Sequence, residues 1–230
     1  PVEPVRRAII LAAGLSSRLY PRTVDLPKSM LPLGSHGTLI DLQLATLEHL
    51  GFEDVTVVTG HAAQRLESHI GGRGNLHTLH HVADLLDCPV LIAFADLVAP
   101  PDLWRRMTHA RPGMQLAVDE GRCIPGTMRT QGDGKTVSDL GPHIPVEQGT
   151  GTFVGLATFD QLAARQLRTQ LAAMVKNGMW DLSVYTYALA ELSRQGTPLH
   201  SVPTGGAPWI EVDDESDHAR ALELERHWPA

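Results

Sequence analysis

Three acidic and two basic residues stand at or just beyond candidate strand ends, and their types suit the handling of phosphate groups with a divalent cation. Asp96 closes the apolar run Val90-Leu91-Ile92-Ala93-Phe94-Ala95. An acid at the carboxyl end of a buried strand points into the crevice where ligands of open α/β sheets bind. Its competing role is to cap the helix that Pro100 and Pro101 open, and Asp102 is better placed for that. Glu211 and Asp213 alternate along a short strand and share a face with Trp209. Arg18 follows the small-residue turn Ala12-Ala13-Gly14-Leu15-Ser16-Ser17. Small residues let backbone N–H groups approach an anion closely, and a guanidinium grips phosphate oxygens as a fork. Lys28 lies between Pro27 and Pro32, a point charge on a stiffened loop, and only Lys135 and Lys176 join it as lysines. Together these groups would hold a triphosphate. Singly, each reads as an ordinary turn or a solvated cation.

The elements that must position them alternate. Strands are predicted at Ala8–Ala13, Val55–Val58, Val90–Ala95, Gln115–Val118, Phe153–Phe159, Leu199–Pro203 and Trp209–Val212. Helical spacing of apolar residues marks 38–50, closed by Gly51, and 62–70, 100–110, 160–175, 182–195 and 214–227. Buried strands alternating with helices mean a mostly parallel, mixed sheet covered on both faces, a Rossmann-like three-layer α/β/α arrangement. Residues 120–151 look the most loop-like, and we take 1–230 as one domain.

The chain has 230 residues with 19 basic and 26 acidic side chains, a net charge of −7. That balance argues against a protein holding nucleic acid by its phosphates. No apolar run reaches the about 18 residues of a membrane span, and no signal peptide is expected beside Arg6 and Arg7. Cys88 and Cys123 make neither a disulfide framework nor a zinc site, so a reduced, cytoplasmic location is expected. His77, His80 and His81 lack partners at ligand spacing and read as a solvated loop. The P-loop pattern, the dinucleotide fingerprint and the G-x-S-x-G elbow are all absent.

The order Leu11-Ala12-Ala13-Gly14, Ser17-Arg18-Leu19, Pro21, Thr23, Pro27-Lys28, Met30, Pro32-Leu33 closely resembles the signature of the nucleotidyltransferases that join an NTP to a phosphorylated acceptor. The resemblance implies a GT-A-like fold of the nucleotide-diphospho-sugar transferase type. It implies that Leu11, Ala12, Ala13, Gly14, Ser16, Ser17 and Arg18 wrap the nucleotide, and that Arg18 and Lys28 contact its phosphates. We place Gly60, at the end of the second strand, with the nucleotide-binding positions. The family carries a magnesium aspartate where Asp96 stands. Its W-x-E-[IV]-D segment matches Trp209–Asp213 and makes Asp213 the second magnesium ligand, with Glu211 a weaker match that we also place on the acceptor side. Magnesium needs few carboxylates when phosphates and waters complete its shell.

Met179-Trp180-Asp181, the following helix and the short strand before Trp209 resemble the cytidylyltransferase branch, which activates phosphocholine or phosphonates. CTP as donor is implied by that resemblance alone. Asp181 either caps its helix or touches the acceptor. Trp180 and Trp209 either form an aromatic wall for a cationic head group or lie in the core. His61 is a further acceptor candidate. The segments 71–90 and 118–132 are shorter than the family's usual ones. The expected partners are an NTP and a small phosphate- or phosphonate-bearing acceptor, with a homodimer possible in this fold. A uridylyl- or thymidylyltransferase acting on a sugar 1-phosphate is the alternative, though its usual G-T-A-x-A segment is missing. A non-catalytic nucleotide-sugar binding module would lack one of the four phosphate or metal groups, all of which are present.

Overall fold

Strands form where the short apolar runs predict them, and their alternation feeds two helix layers. The computed structural model describes residues 5–14, 17–60, 62–108, 112–179 and 183–228, with the backbone alone at 17, 76–81, 183 and 184. The first half holds β1 (Arg7–Ala12), α1 (Leu39–His49), β2 (Asp54–Thr59), α2 (Ala63–Ile70), β3 (Asn75–Thr78), β4 (Val90–Phe94), β5 (Leu97–Val98) and α3 (Pro101–Thr108). The strands β6 (Met114–Glu120), β7 (Arg129–Gly132), β8 (Thr136–Gly141) and β9 (Gly151–Phe159) follow. Next come α4 (Gln161–Lys176), α5 (Ser183–Arg194), β10 (Leu199–Pro203), β11 (Ile210–Glu211) and α6 (Glu215–Glu225).

Nine strands make one mixed sheet, ordered β3-β2-β1-β4-β9-β6-β10-β8-β7, and β5 pairs with β11 in a small antiparallel ribbon. The strand β1 runs parallel to β2 and β4, while β9 runs antiparallel between β4 and β6. The carboxyl ends of β1, β4 and β6 therefore share one edge with the amino end of β9. Ile9, Leu11, Val90 and Ile92 pack with Leu167 and Leu189 of α4 and α5. Ala8, Ile10, Leu91 and Ala93 pack with Leu47, Leu66 and Trp104 of α1, α2 and α3. Both faces of β1 and β4 are covered, which is why those runs carry no polar alternation.

A third core lies off the sheet. Leu19, Leu31 and Leu33 meet Leu39 and Leu42 of α1, Val98 of β5, Val212, and Ala221 of α6. It binds the segment after β1 to α6. Capping fixes the ends of these helices: Thr38 with Asp41, Asp160 on the Ala163 N–H, and Asp214 with Asp217. Gly51, at φ +79°, closes α1 as expected.

Three expectations are corrected. The stretch 120–151 is not chiefly loop: β7 and β8 form a hairpin there, and β7 also pairs with β9. Its turn is Asp133-Gly134, with Asp133 Oδ1 accepting from the N–H groups of Thr136 at 2.7 Å and Lys135 at 2.9 Å, bonds that hold its carboxyl down at about 2. The dipeptide was a readable hairpin signal. His77 belongs to β3, an added parallel edge strand, and His80 and His81 to the 3-10 turns of 79–85, rather than to a free loop. Asp102 lies in the first turn of α3, paired with Arg105, and not at its N-cap. No helix among the described residues is long and apolar enough to cross a membrane.

Candidate active site

A cleft of about 410 Å³ opens at the shared strand edge. Leu11, Ala12 and Gly14, from the end of β1, form one wall. Phe94, Ala95 and Asp96 continue β4 into it, and Glu211 and Asp213 enter from β11 and the turn before α6. Arg18, Lys28 and Ser29 come from the segment that the third core holds.

Lys28 opens a one-turn 3-10 helix, Lys28–Met30, behind Pro27, with the Leu31 N–H closing onto the Lys28 carbonyl at 3.0 Å. Its ammonium bonds Asp96 Oδ2 and, at 3.1 Å, Asp213 Oδ1. The Lys28 and Asp96 side chains are only 16% and 14% exposed, so this is no solvated surface pair. Burial opposes the charge on Lys28, but Asp96 and Asp213 outweigh it and hold its pKa above the ordinary lysine value. Arg18 reaches Asp213 Oδ1 at 2.9 Å from a far more exposed position.

Oxygens of Asp96, Glu211 and Asp213 all lie within 4.8 Å of one another. Burial first, then Asp96 and Asp213, push the Glu211 carboxyl up to about 8 against the pull of Lys28 and Arg18. Three carboxylates in one cleft repel each other unless a cation or a proton intervenes. The free oxygen of Asp96, Oδ1, is buried without a hydrogen-bond partner among the described residues, a costly state for an ionised group. An all-oxygen donor set with one orphaned lone pair fits a hard divalent ion such as Mg²⁺.

The structure thus brings Leu11, Ala12, Gly14, Arg18, Lys28, Asp96, Glu211 and Asp213 together. Glu211, also placed on the acceptor side by sequence, sits among the carboxylates. Ala13 and Gly60 lie beside the cleft, outside its lining: a Cβ on Gly60 would stand 2.8 Å from the Ala13 carbonyl. Trp209 forms no aromatic wall. It is 6% exposed, packs on the α1–α3 side, and donates its indole N–H to Asp119 Oδ2 at 2.8 Å. Ser16, His61, Trp180 and Asp181, and the side chain of Ser17, lie outside the described residues. Sequence reasoning missed Phe94, Met128, Thr186 and Ser29 in the lining. Phe94 was findable, being the last residue of β4 and two before Asp96. Met128 and Thr186 carry no local signal.

The fold has close neighbours among solved structures. The CTP:phosphocholine cytidylyltransferase of Streptococcus pneumoniae superposes with a TM-score of 0.75 over 96% of this chain and 99% of its own, at 20% identity. Among curated proteins, the CTP:phosphoglutamine cytidylyltransferase of Campylobacter jejuni is 29% identical over 136 residues, 50% of this chain and 53% of that protein. The CMP-5'-(3-aminopropyl)phosphonate synthase of Streptomyces rubellomurinus is 25% identical over 94% of this chain and 38% of its own length. The chain thus spans about half or less of the curated relatives it matches. Residues 8–195 match the MobA-like NTP transferase domain, and the chain belongs to that family.

Proposed function

We propose that this protein is a magnesium-dependent nucleotidyltransferase that moves CMP from CTP to a small acceptor bearing a phosphate or phosphonate. The observation that carries this reading is the single cleft in which Lys28 and Arg18 face Asp96, Glu211 and Asp213 at the carboxyl edge of β1 and β4. The printed activities of the Campylobacter and Streptomyces relatives support CTP and a small acceptor, while a shorter match to the UTP--glucose-1-phosphate uridylyltransferase of Bacillus subtilis, 40% identical over 30% of this chain, makes the sugar 1-phosphate branch the second reading.

An acceptor oxygen forms a bond to the α-phosphorus of the nucleotide. The bond from that phosphorus to the bridging oxygen breaks, and pyrophosphate leaves with the electron pair. The acceptor is already an anion, so the protein supplies no nucleophile; it supplies placement and charge. Asp96 and Asp213, with Glu211 beside them, would hold Mg²⁺, which supplies positive charge against the triphosphate. Lys28 exchanges its carboxylate partners for phosphate oxygens, with Arg18 as a second, more exposed cation. Ala12 and Gly14 line the wall where a phosphate would come close to the backbone.

The test is pyrophosphate release with Mg²⁺ and each of CTP, UTP, dTTP, GTP and ATP, against phosphocholine, an aminoalkylphosphonate and glucose 1-phosphate. Release with CTP and one of the first two acceptors is expected. Release only with UTP or dTTP and the sugar phosphate would move the protein to the other branch, and none with any pair would refute transfer.

A further inference from the structure

We propose that His218 is a positioning residue that sets the spacing between the Lys28 loop and Asp213, a role that rests on those two residues serving the proposed transfer. His218 lies on the first turns of α6, five residues after Asp213, and is only 5% exposed. Its Nε2 lies 2.6 Å from the carbonyl of Pro32, four residues beyond Lys28. Its Nδ1 lies 3.1 Å from Nη1 of Arg22, and that nitrogen also donates to Glu215 Oε2 at 2.8 Å.

The partners fix the tautomer. A carbonyl can only accept, so Nε2 carries the proton. A guanidinium can only donate, so Nδ1 presents its lone pair. One neutral ring therefore ties both ends of the segment that holds Lys28, Arg22 before it and Pro32 after it, to a single turn of α6. The same turn fixes Asp213, whose N–H donates to Asp217 Oδ2 at 3.1 Å, while the His218 N–H closes onto the Asp214 carbonyl at 3.0 Å. The surrounding third core is wholly apolar and non-directional. It pulls the loop against α6 without choosing a register along the helix. Ser35, whose N–H and Oγ bond Glu225, fixes the far end of the loop on the last turn of α6; the two ring bonds fix the near end, and with it the 3.1 Å separation of Lys28 from Asp213.

The test compares wild type with His218→Leu, His218→Gln and Arg22→Met. Gln keeps a donor where Nε2 stood, Leu keeps only bulk, and Arg22→Met removes the outer bond together with the exposed Arg22–Glu215 pair. The first readout is amide hydrogen exchange at Leu31, Leu33 and Leu39, whose N–H groups bond Lys28, Gly37 and Leu31. The second is CTP affinity by calorimetry with Mg²⁺. His218→Leu should exchange at least tenfold faster at these three amides with β1 and β4 unchanged, and bind CTP about tenfold more weakly. His218→Gln should recover most of both, and Arg22→Met should fall between. Wild-type exchange at 31–39 in His218→Leu, or acceleration equal to that in β1 and β4, would overturn the proposal. Should His218→Leu not fold, Arg22→Met against His218→Gln decides it by the same amides. Wild type failing to bind any nucleotide would refute the transfer reading while the exchange data still decide the positioning.

Discussion

Replacing Lys28 by Met should move metal and nucleotide binding in opposite directions. In the metal-free protein the ammonium is the buried counterion of Asp96, whose second oxygen has no partner among the described residues. Arg18 keeps company with Asp213 but is 67% exposed and has no bond to Asp96. Removing one partner of a buried ion pair costs about 3–5 kcal/mol, and remaining water access near the cleft argues for the lower end, about 3. For a chain of this size that is roughly 6–12 °C in Tm. Mg²⁺ enters the variant's carboxylates without displacing a cation, so its stabilising shift should exceed the wild-type one, which is about 2.7 kcal/mol at a hundred times Kd. CTP loses a charge-assisted contact, and its shift should shrink by an amount equivalent to about a hundredfold in affinity. Thermal unfolding of both proteins, alone, with Mg²⁺, and with Mg²⁺ and CTP, reads all three. A Tm loss under about 2 °C without metal, or an Mg²⁺ shift no larger than in wild type, would refute the view of Lys28 as a buried counterion that the metal replaces.

Glu211 titrates high, at about 8 against an ordinary 4.5, so the folded state holds its proton more tightly than the unfolded one. Its contribution is present below about pH 4.5 and lost as pH rises through 8; the Tm of metal-free wild type should fall relative to Glu211→Gln across that window, and Mg²⁺ binding at pH 7 should release protons in calorimetry run in buffers of different ionisation enthalpy. Gly155 sits at φ +81°, and a Cβ there would stand 2.5 Å from Phe94 Cδ2, a ring already edge-on to Phe153 and Tyr185; Gly155→Ala should cost roughly 2–3 kcal/mol in denaturant unfolding. Asp214→Ala removes the capping box of α6 and should cost about 1 kcal/mol by the same measurement.

Much of the site was legible because it lies in contiguous stretches. Leu11 to Leu33 places a strand, a tight turn and two cations in one reading frame. Asp96 announces itself as the polar stop of an apolar strand. What sequence alone could not deliver was the meeting of separate segments. Nothing near Met128 or Thr186 marks them as cleft residues, since one precedes an edge hairpin and the other rides a helix whose periodicity only reports burial. Trp209 shows the opposite failure. Strand parity put it beside Glu211, but Asp119 offered its indole N–H a buried acceptor, and core packing won. The strands of the 129–141 hairpin were hidden by their composition of Thr, Gln and Gly, which reads as loop, and only the Asp133-Gly134 turn marked them.

The third core also fixes the order in which this molecule can become competent. Lys28 and Asp213 are 185 residues apart, and His218 and Pro32 are 186 apart. During synthesis, the strands from β1 to β4 can pair before β11 and α6 are made, because their partners are near in sequence. The segment from Leu19 to Leu33 can then meet Leu39, Leu42 and Val98 only, for the rest of its core, Val212 and Ala221, comes later. Closing so long a loop is slow relative to local pairing, so Lys28 acquires Asp213, the second of its two carboxylates, late. A nascent chain ending before residue 209 would carry most of the central sheet and a Lys28 with only one of its two carboxylates. The three-carboxylate cluster is thus incomplete until residues 211–213 have been made.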